Sequence, residues 1–226
     1  MAQYNPDVLV FMDAHMNFFD DKSANWGQVI YDFIKSHPNT ACSPAISAYD
    51  NPSQRGFGFI SEIIKKDGGY DTYGHWSGDA GNSNQPFIIP GLCGCFMAMT
   101  PKTFRDSLIG FTPPLAIEDC EFSLRIWTLG INMYSIPSIT VGHRFQPSYG
   151  GFTKERSIDW GTGRLLYTYL NMDEKYTTGM FSVGISASQD KTESLRRATT
   201  LYWQQVQHEV QSKKVRTPEQ YFRRFA

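Results

Sequence analysis

The sequence predicts an α/β fold: a mixed sheet with flanking helices, followed by a helical C-terminal extension. Three observations carry this. Val8-Leu9-Val10-Phe11-Met12 is a continuous apolar run rich in β-branched and aromatic residues, the pattern of a buried strand. Residues 132–136 and 139–142 form two further strand-like runs around Pro137, the second leading into His143. Beyond residue 150 the apolar residues recur at helical spacing. The expected division is therefore a sheet-bearing part, residues 1–150, and a helical part, residues 151–226.

The elements follow in order. Residues 25–36 have helical spacing, with Val29, Ile30, Phe33 and Ile34 as the apolar face and His37-Pro38-Asn39 as the stop. Residues 41–48 predict a strand interrupted by Pro44. Residues 50–58 and 67–85 are rich in Gly, Asn, Asp and Ser and predict long surface loops, which often bind ligands. Residues 92–99 alternate small and large side chains as a strand does. Pro113-Pro114 leads into a helix opening on Glu118-Asp119-Cys120-Glu121, which Gly130 stops. In the tail, residues 159–170 and 192–213 predict helices, and Pro218 opens a short last one.

Composition narrows the function. A chain of 226 residues with 41% hydrophobic and 15% aromatic content supports one sizeable core and a small appendage. Lys and Arg number 21 against 22 Asp and Glu, so no basic stripe points to nucleic acid and no basic face to a membrane. No apolar run approaches the roughly 20 residues of a spanning helix. No charged n-region precedes an apolar h-region, so the expected location is cytoplasmic. Cys42, Cys93, Cys95 and Cys120 form no scaffold pattern. Cys93 and Cys95 share a strand face and suggest a metal pair, but small buried residues in a reducing compartment are the favoured reading.

The chemistry-bearing residues sit where elements end. Asp13 and His15 follow the first apolar run, and His143 closes a second strand. In open α/β sheets ligands bind outside the carboxyl ends of strands. One carboxylate and two imidazoles suit Mn²⁺ better than Mg²⁺, which prefers oxygen, and leave positions open for a substrate. The competing reading is a surface Asp beside a satisfied core His. His37, His75 and His208 have no such support. Glu118, Asp119 and Glu121 crowd one helical turn; dipole complementarity explains acidity there, and a catalytic or orienting role explains the crowding. Trp76, in a Gly-rich stretch, is placed to stack on a ligand face or to anchor its loop.

Several of these motifs together carry a resemblance. Asp13-Ala14-His15 resembles the Asp-x-His metal motif of polypeptide N-acetylgalactosaminyltransferases, which are GT-A glycosyltransferases. Pro86-Phe87-Ile88-Ile89-Pro90 and Gly94-Cys95-Phe96-Met97-Ala98-Met99 are similar to the stretch ending in that family's glycine-pair strand. Residues 118–127, through Arg125-Ile126-Trp127, are similar to its acidic helix, and Val141-Gly142-His143 resembles its third metal ligand. The resemblance spans roughly residues 5–150, in the family's order.

The resemblance implies a GT-A-like sheet that transfers a hexose or N-acetylhexosamine from a nucleotide sugar, a UDP-sugar, to a sugar or protein hydroxyl. It implies Mn²⁺ (or Mg²⁺) on Asp13, His15 and His143. Gly94 matches the first of the paired glycines that admit the donor sugar, and Cys95 replaces the second. Arg144 and Tyr149 stand where relatives grip the diphosphate, while Gln146 replaces a basic residue. The retaining relatives carry Glu-Asn where this chain has Glu118-Asp119; in many inverting GT-A enzymes that Asp is the general base. In GT-A enzymes the metal motif follows a nucleotide-binding half of several β-α units, of which residues 7–12 match only the last strand. The expected partner is a second polypeptide supplying that half, or another copy of this chain. Two rival functions remain: a non-catalytic assembly module with a degenerate transferase fold, and a metal-dependent hydrolase using the same ligands.

Overall fold

In a computed structural model, which describes residues 5–19, 25–77, 84–112, 117–145 and 153–225, the first apolar run forms strand β1 (Leu9–Met12). The other strands are β2 (Met16–Phe18), β3 (Thr40–Ala48), β4 (Asn51–Gly56), β5 (Phe59–Lys66), β6 (Gly69–Trp76), β7 (Phe87–Ile88), β8 (Phe96–Met99) and β9 (Asn132–His143). The main sheet runs β1-β8-β3-β9-β2, with β4 on β3 and β7 on β9. It is mixed, as expected: β3 and β9 are parallel, and β1 and β2 pair antiparallel with β8 and β9.

The run at β1 is half-buried rather than buried, because it ends the strand order and its pairing among the described residues is with β8. Met12 is 50% exposed. Neither proline breaks its strand. Pairing passes from Pro44↔Ile136 directly to Ala45↔Thr140, so residues 137–139 bulge out and β9 stays one strand where two were expected. Strands also replace parts of both expected loops. β4 pairs with β3, and β5 and β6 form a hairpin across Asp67-Gly68, where Gly68 takes φ 83°. Asp-Gly is a strong hairpin signal, obscured here by the surrounding polar composition.

Helix α1 (Trp26–Ser36) buries Ile30, Phe33 and Ile34 in a cluster with Cys42, Ile46, Phe96, Ile136 and Val141. Each such burial contributes about 1.5–3 kcal/mol. The short α2 (Pro101–Asp106) is capped by Thr100, which accepts from the Thr103 amide at 3.0 Å.

The remaining helices are α3 (Glu118–Thr128), α4 (Lys154–Asn171), α5 (Glu174–Gly179), α6 (Lys191–Ala198), α7 (Leu201–Lys213) and α8 (Pro218–Phe225), with a π-helical turn at Met180–Gly184. The helix expected over residues 192–213 is two helices, because Thr200 stays extended and caps α7. Leu165, Leu166, Leu170, Met180, Trp203, Val206 and Val210 form a second core. Gly130, at φ 93°, follows α3 as expected. The chain after α7 closes two helix ends: Val215 and Arg216 amides donate to the Thr128 carbonyl, and Lys214 donates to the Asn171 carbonyl at 2.6 Å.

The chain thus divides into two compact units. One comprises Met1–Phe59, Trp76–Ser107 and Ile131–Phe145; the other comprises Ile60–His75, Leu108–Gly130 and Gln146–Ala226. The boundary expected at residue 150 lies near the last crossing, but the second unit also takes in most of the β5–β6 hairpin and α3. Within it, Asp71 of β6 is held by Lys66 and by the Arg164 guanidinium of α4. Among the described residues, no helix is long and apolar enough to cross a membrane.

Candidate functional site

Asp13, His15 and His143 meet at one end of the main sheet. Asp13 follows β1, and its amide donates to the Cys95 carbonyl at 3.1 Å. His15 precedes β2, whose Met16 lies opposite His143. His143 ends β9 between Met16 on one side and Ala48 of β3 on the other. Sheet pairing therefore joins positions 130 residues apart in the chain.

Their ligand atoms all lie within 4.8 Å of one another, the only such group of three among the described residues. His143 Nε2 is 2.9 Å from Asp13 Oδ2, and His15 Nε2 is 3.8 Å from the same oxygen. Two ligands about 2.1 Å from a common octahedral ion lie about 3 Å apart. The Asp13–His143 pair already has that spacing, and His15 needs only a small approach. The side chains of Asp13 and His15 are 44% and 45% exposed, that of His143 12%. Burial lowers the His143 pKa below its ordinary value, against the opposing pull of Asp13. Two imidazoles and a carboxylate thus bring their ligand atoms together. A divalent cation fits there, with positions left toward solvent.

Aromatic residues frame this cluster. Phe145 is 50% exposed and meets the His143 ring edge-on at 4.4 Å and the Trp76 ring at 6.1 Å. Trp76 ends β6, with its ring against Gly56, where any side chain would collide with it. It is an anchored ring at a strand end, not a loop residue. The Arg144 guanidinium lies 4.6 Å from the Tyr49 ring centroid, an arrangement worth about 0.5–1 kcal/mol where exposed. Gly142 has no side chain because Phe19 and the Tyr49 carbonyl fill that space. Asn17 donates to the same carbonyl at 2.7 Å. Sequence reasoning missed Tyr49, Phe145 and Asn17; only Phe145, an aromatic beside His143-Arg144, left a readable signal.

Gly94 and Cys95 form the turn that enters β8, Gly94 partly exposed and Cys95 buried. All four cysteines are buried and none is in a disulfide. Tyr149 and Gln146 lie outside the described residues, as do Pro113 and Pro114.

The acidic helix α3 belongs to the second unit. It corrects one expectation. Glu121, placed by sequence among the catalytic carboxylates, is 1% exposed and paired with a fully buried Arg125. Arg125 Nε and Nη2 donate to its two oxygens at 2.8 and 2.9 Å, and Asn171 adds a third donor at 3.1 Å. A carboxylate this buried, held by three donors and balanced by a guanidinium, fixes the helix and is closed to a substrate hydroxyl. Glu118 and Asp119 are half-buried at the helix start, where the dipole favours them. Asp119 Oδ1 accepts from the Cys120 amide at 2.8 Å.

No protein-family model matches the chain. Similar curated proteins are polypeptide N-acetylgalactosaminyltransferase 10 of Homo sapiens, 26% identical over 150 residues, which is 62% of this chain and 24% of that protein. Polypeptide N-acetylgalactosaminyltransferase 5 of Caenorhabditis elegans is 24% identical over 168 residues, 70% of this chain and 25% of that protein. The chain spans about a quarter of the length of these relatives. Among solved structures, GalNAc-T7 with UDP, GalNAc and Mn²⁺ matches with a TM-score of 0.52 at 16% identity, over 75% of this chain and 32% of that one. This likeness shows the fold: a mixed sheet with flanking helices, corresponding to part of a GalNAc-transferase domain.

Proposed function

We propose that this chain is the metal-binding and acceptor half of a glycosyltransferase that moves a hexose or N-acetylhexosamine from a UDP-sugar to a hydroxyl. The observation that carries the reading is the convergence of Asp13, His15 and His143 at the sheet end, on a fold shared with a protein solved with UDP, GalNAc and Mn²⁺. These three residues would hold Mn²⁺ or Mg²⁺, which when bound supplies positive charge for a diphosphate and for a leaving group. Arg144 and Tyr149 hold the donor's diphosphate, Gly94 and Cys95 line the approach of its sugar, and Trp76 offers a ring face edge. Asp119 takes the proton of the acceptor hydroxyl, with Glu118 orienting that group.

Calorimetry tests this directly. Mn²⁺ and UDP should each tighten the other's binding, and His143→Ala should abolish the enhancement. A variant that binds both as well as the wild type overturns the ligand assignment. Product analysis with UDP-sugars separates the rivals: transfer to an added hydroxyl supports the proposal, free sugar alone favours the hydrolase, and no turnover favours the assembly module.

We also propose a partner that covers the β1 edge, either a second polypeptide or another copy of this chain. Support comes from the position of β1 at the end of the strand order, with an exposed Met12, since apolar edges are usually covered. Size-exclusion chromatography with light scattering should find a complex or oligomer. A monomer that transfers sugar with no added protein overturns this part.

A further inference from the structure

Cys93 and Cys95 flank Gly94 in a tight turn that the Phe96 amide closes on the Cys93 carbonyl at 3.0 Å. An isolated bridge pairs Cys93 with Phe96, so the turn stands at the entrance to β8. The two sulfurs are 3.3 Å apart. Their residues are 8% and 5% exposed, which leaves access to small molecules only. A disulfide sets its sulfurs at about 2.05 Å, so an approach of about 1.2 Å separates this pair from a covalent bond. Gly94 gives the turn the backbone freedom to permit it.

We propose that Cys93 and Cys95 are a reversible redox-modification site, oxidised by a peroxide to a disulfide within the turn. The first thiol attacks one peroxide oxygen; the O–O bond breaks, water leaves, and a sulfenic acid remains. The second thiol displaces that oxygen as a second water, forming the S–S bond. Two thiols lose two electrons and two protons in all, and one peroxide is reduced to two waters. A disulfide closed across a single residue is strained, and strained disulfides are the readily reduced ones. A dithiol therefore reverses it.

The turn is coupled to the cluster described above. The Cys95 carbonyl holds the Asp13 amide, and Phe96 pairs with Met12, the residue before Asp13. Closing the Cys93–Cys95 bond strains the turn whose carbonyl holds the Asp13 backbone, and so disturbs the 2.9 Å contact of Asp13 with His143. Oxidation thus weakens cation binding. This coupling rests on the proposed metal reading; the modification itself does not.

The test treats the full chain with hydrogen peroxide, alkylates it after denaturation, and maps peptides by mass. The expected result is a Cys93–Cys95 link, two hydrogens lighter and unalkylated, with Cys42 and Cys120 labelled and dithiothreitol restoring all four. Cys93→Ser should give no link. Links to Cys42 or Cys120, links between chains, or four alkylated cysteines overturn the proposal. Calorimetry with Mn²⁺ then reads the coupling: oxidation should weaken binding roughly tenfold, as loss of supporting contacts does, and the same peroxide should leave Cys93→Ser unchanged. Equal affinity in linked and reduced protein overturns the coupling. A reduced protein that binds no Mn²⁺ overturns the metal reading and the coupling with it, and the mass result then stands alone.

Discussion

Glu121 and Asp13 are both carboxylates in contact with basic side chains, yet they do opposite things. Glu121 is 1% exposed and receives three hydrogen bonds, two from Arg125 and one from Asn171. Arg125 also donates to the Gly110 carbonyl at 2.6 Å. A permanent cation balances the acid, so the cluster is closed. Asp13 is 44% exposed and faces two imidazoles, one of them driven toward neutrality by burial. That cluster is open to solvent. Donor balance and exposure, not acidity, separate a closed structural carboxylate from one available to solvent.

The largest expected effect tests the closed cluster. Arg125→Ala leaves Glu121 buried without its counter-charge, which should cost about 3–5 kcal/mol of stability. Urea denaturation checks it, and a loss below about 1 kcal/mol would break the comparison. Asp119→Asn asks whether the same helix carries an open acid beside its closed one. Turnover should fall roughly 10²–10⁴-fold with donor affinity unchanged; full turnover removes Asp119 from the chemistry. His143→Ala probes the open cluster from the stability side. Because Asp13 and His15 keep water as a partner, denaturation should shift by only about 1 kcal/mol while Mn²⁺ binding is lost. A loss as large as that of Arg125→Ala would mean the cluster is structural.

A pH-dependent effect comes from Lys214. Desolvation lowers its pKa from 10.5 to about 8 while it caps the Asn171 carbonyl. Below pH 8 its charged form is disfavoured in the fold; as pH rises through 8 toward 10.5 the unfolded chain binds the extra proton, and stability rises with pH. The wild type should therefore gain stability relative to Lys214→Met over that window. Paired denaturation curves at pH 7.5 and about 10 measure it, and parallel curves would show that Lys214 is solvated.

Much of the architecture was legible. The apolar face of α1, the stop at Gly130 and the opening of α8 at Pro218 were all local signals, set by periodicity and by the backbone chemistry of Gly and Pro. The metal candidates were legible too, because Asp13, His15 and His143 each stand beside a strand. What failed was non-local. Pro44 and Pro137 read as breaks because the bulge that absorbs both exists only when β3 and β9 are paired. Residues 51–56 read as a loop because their strand is made by β3, not by their own composition.

Sequence alone therefore determined which segments take regular structure and which residue types could hold a cation. Tertiary structure decided their use. Pairing of β2 with β9 brings His15 to His143, and folding of α4 against α3 places Asn171 on Glu121. Three neighbouring acids are alike along the chain, but burial with Arg125 fixes the role of Glu121 and leaves Glu118 and Asp119 at the helix start. Local propensity acts over a few residues; the charge balance of a side chain depends on whichever distant group packing brings to it.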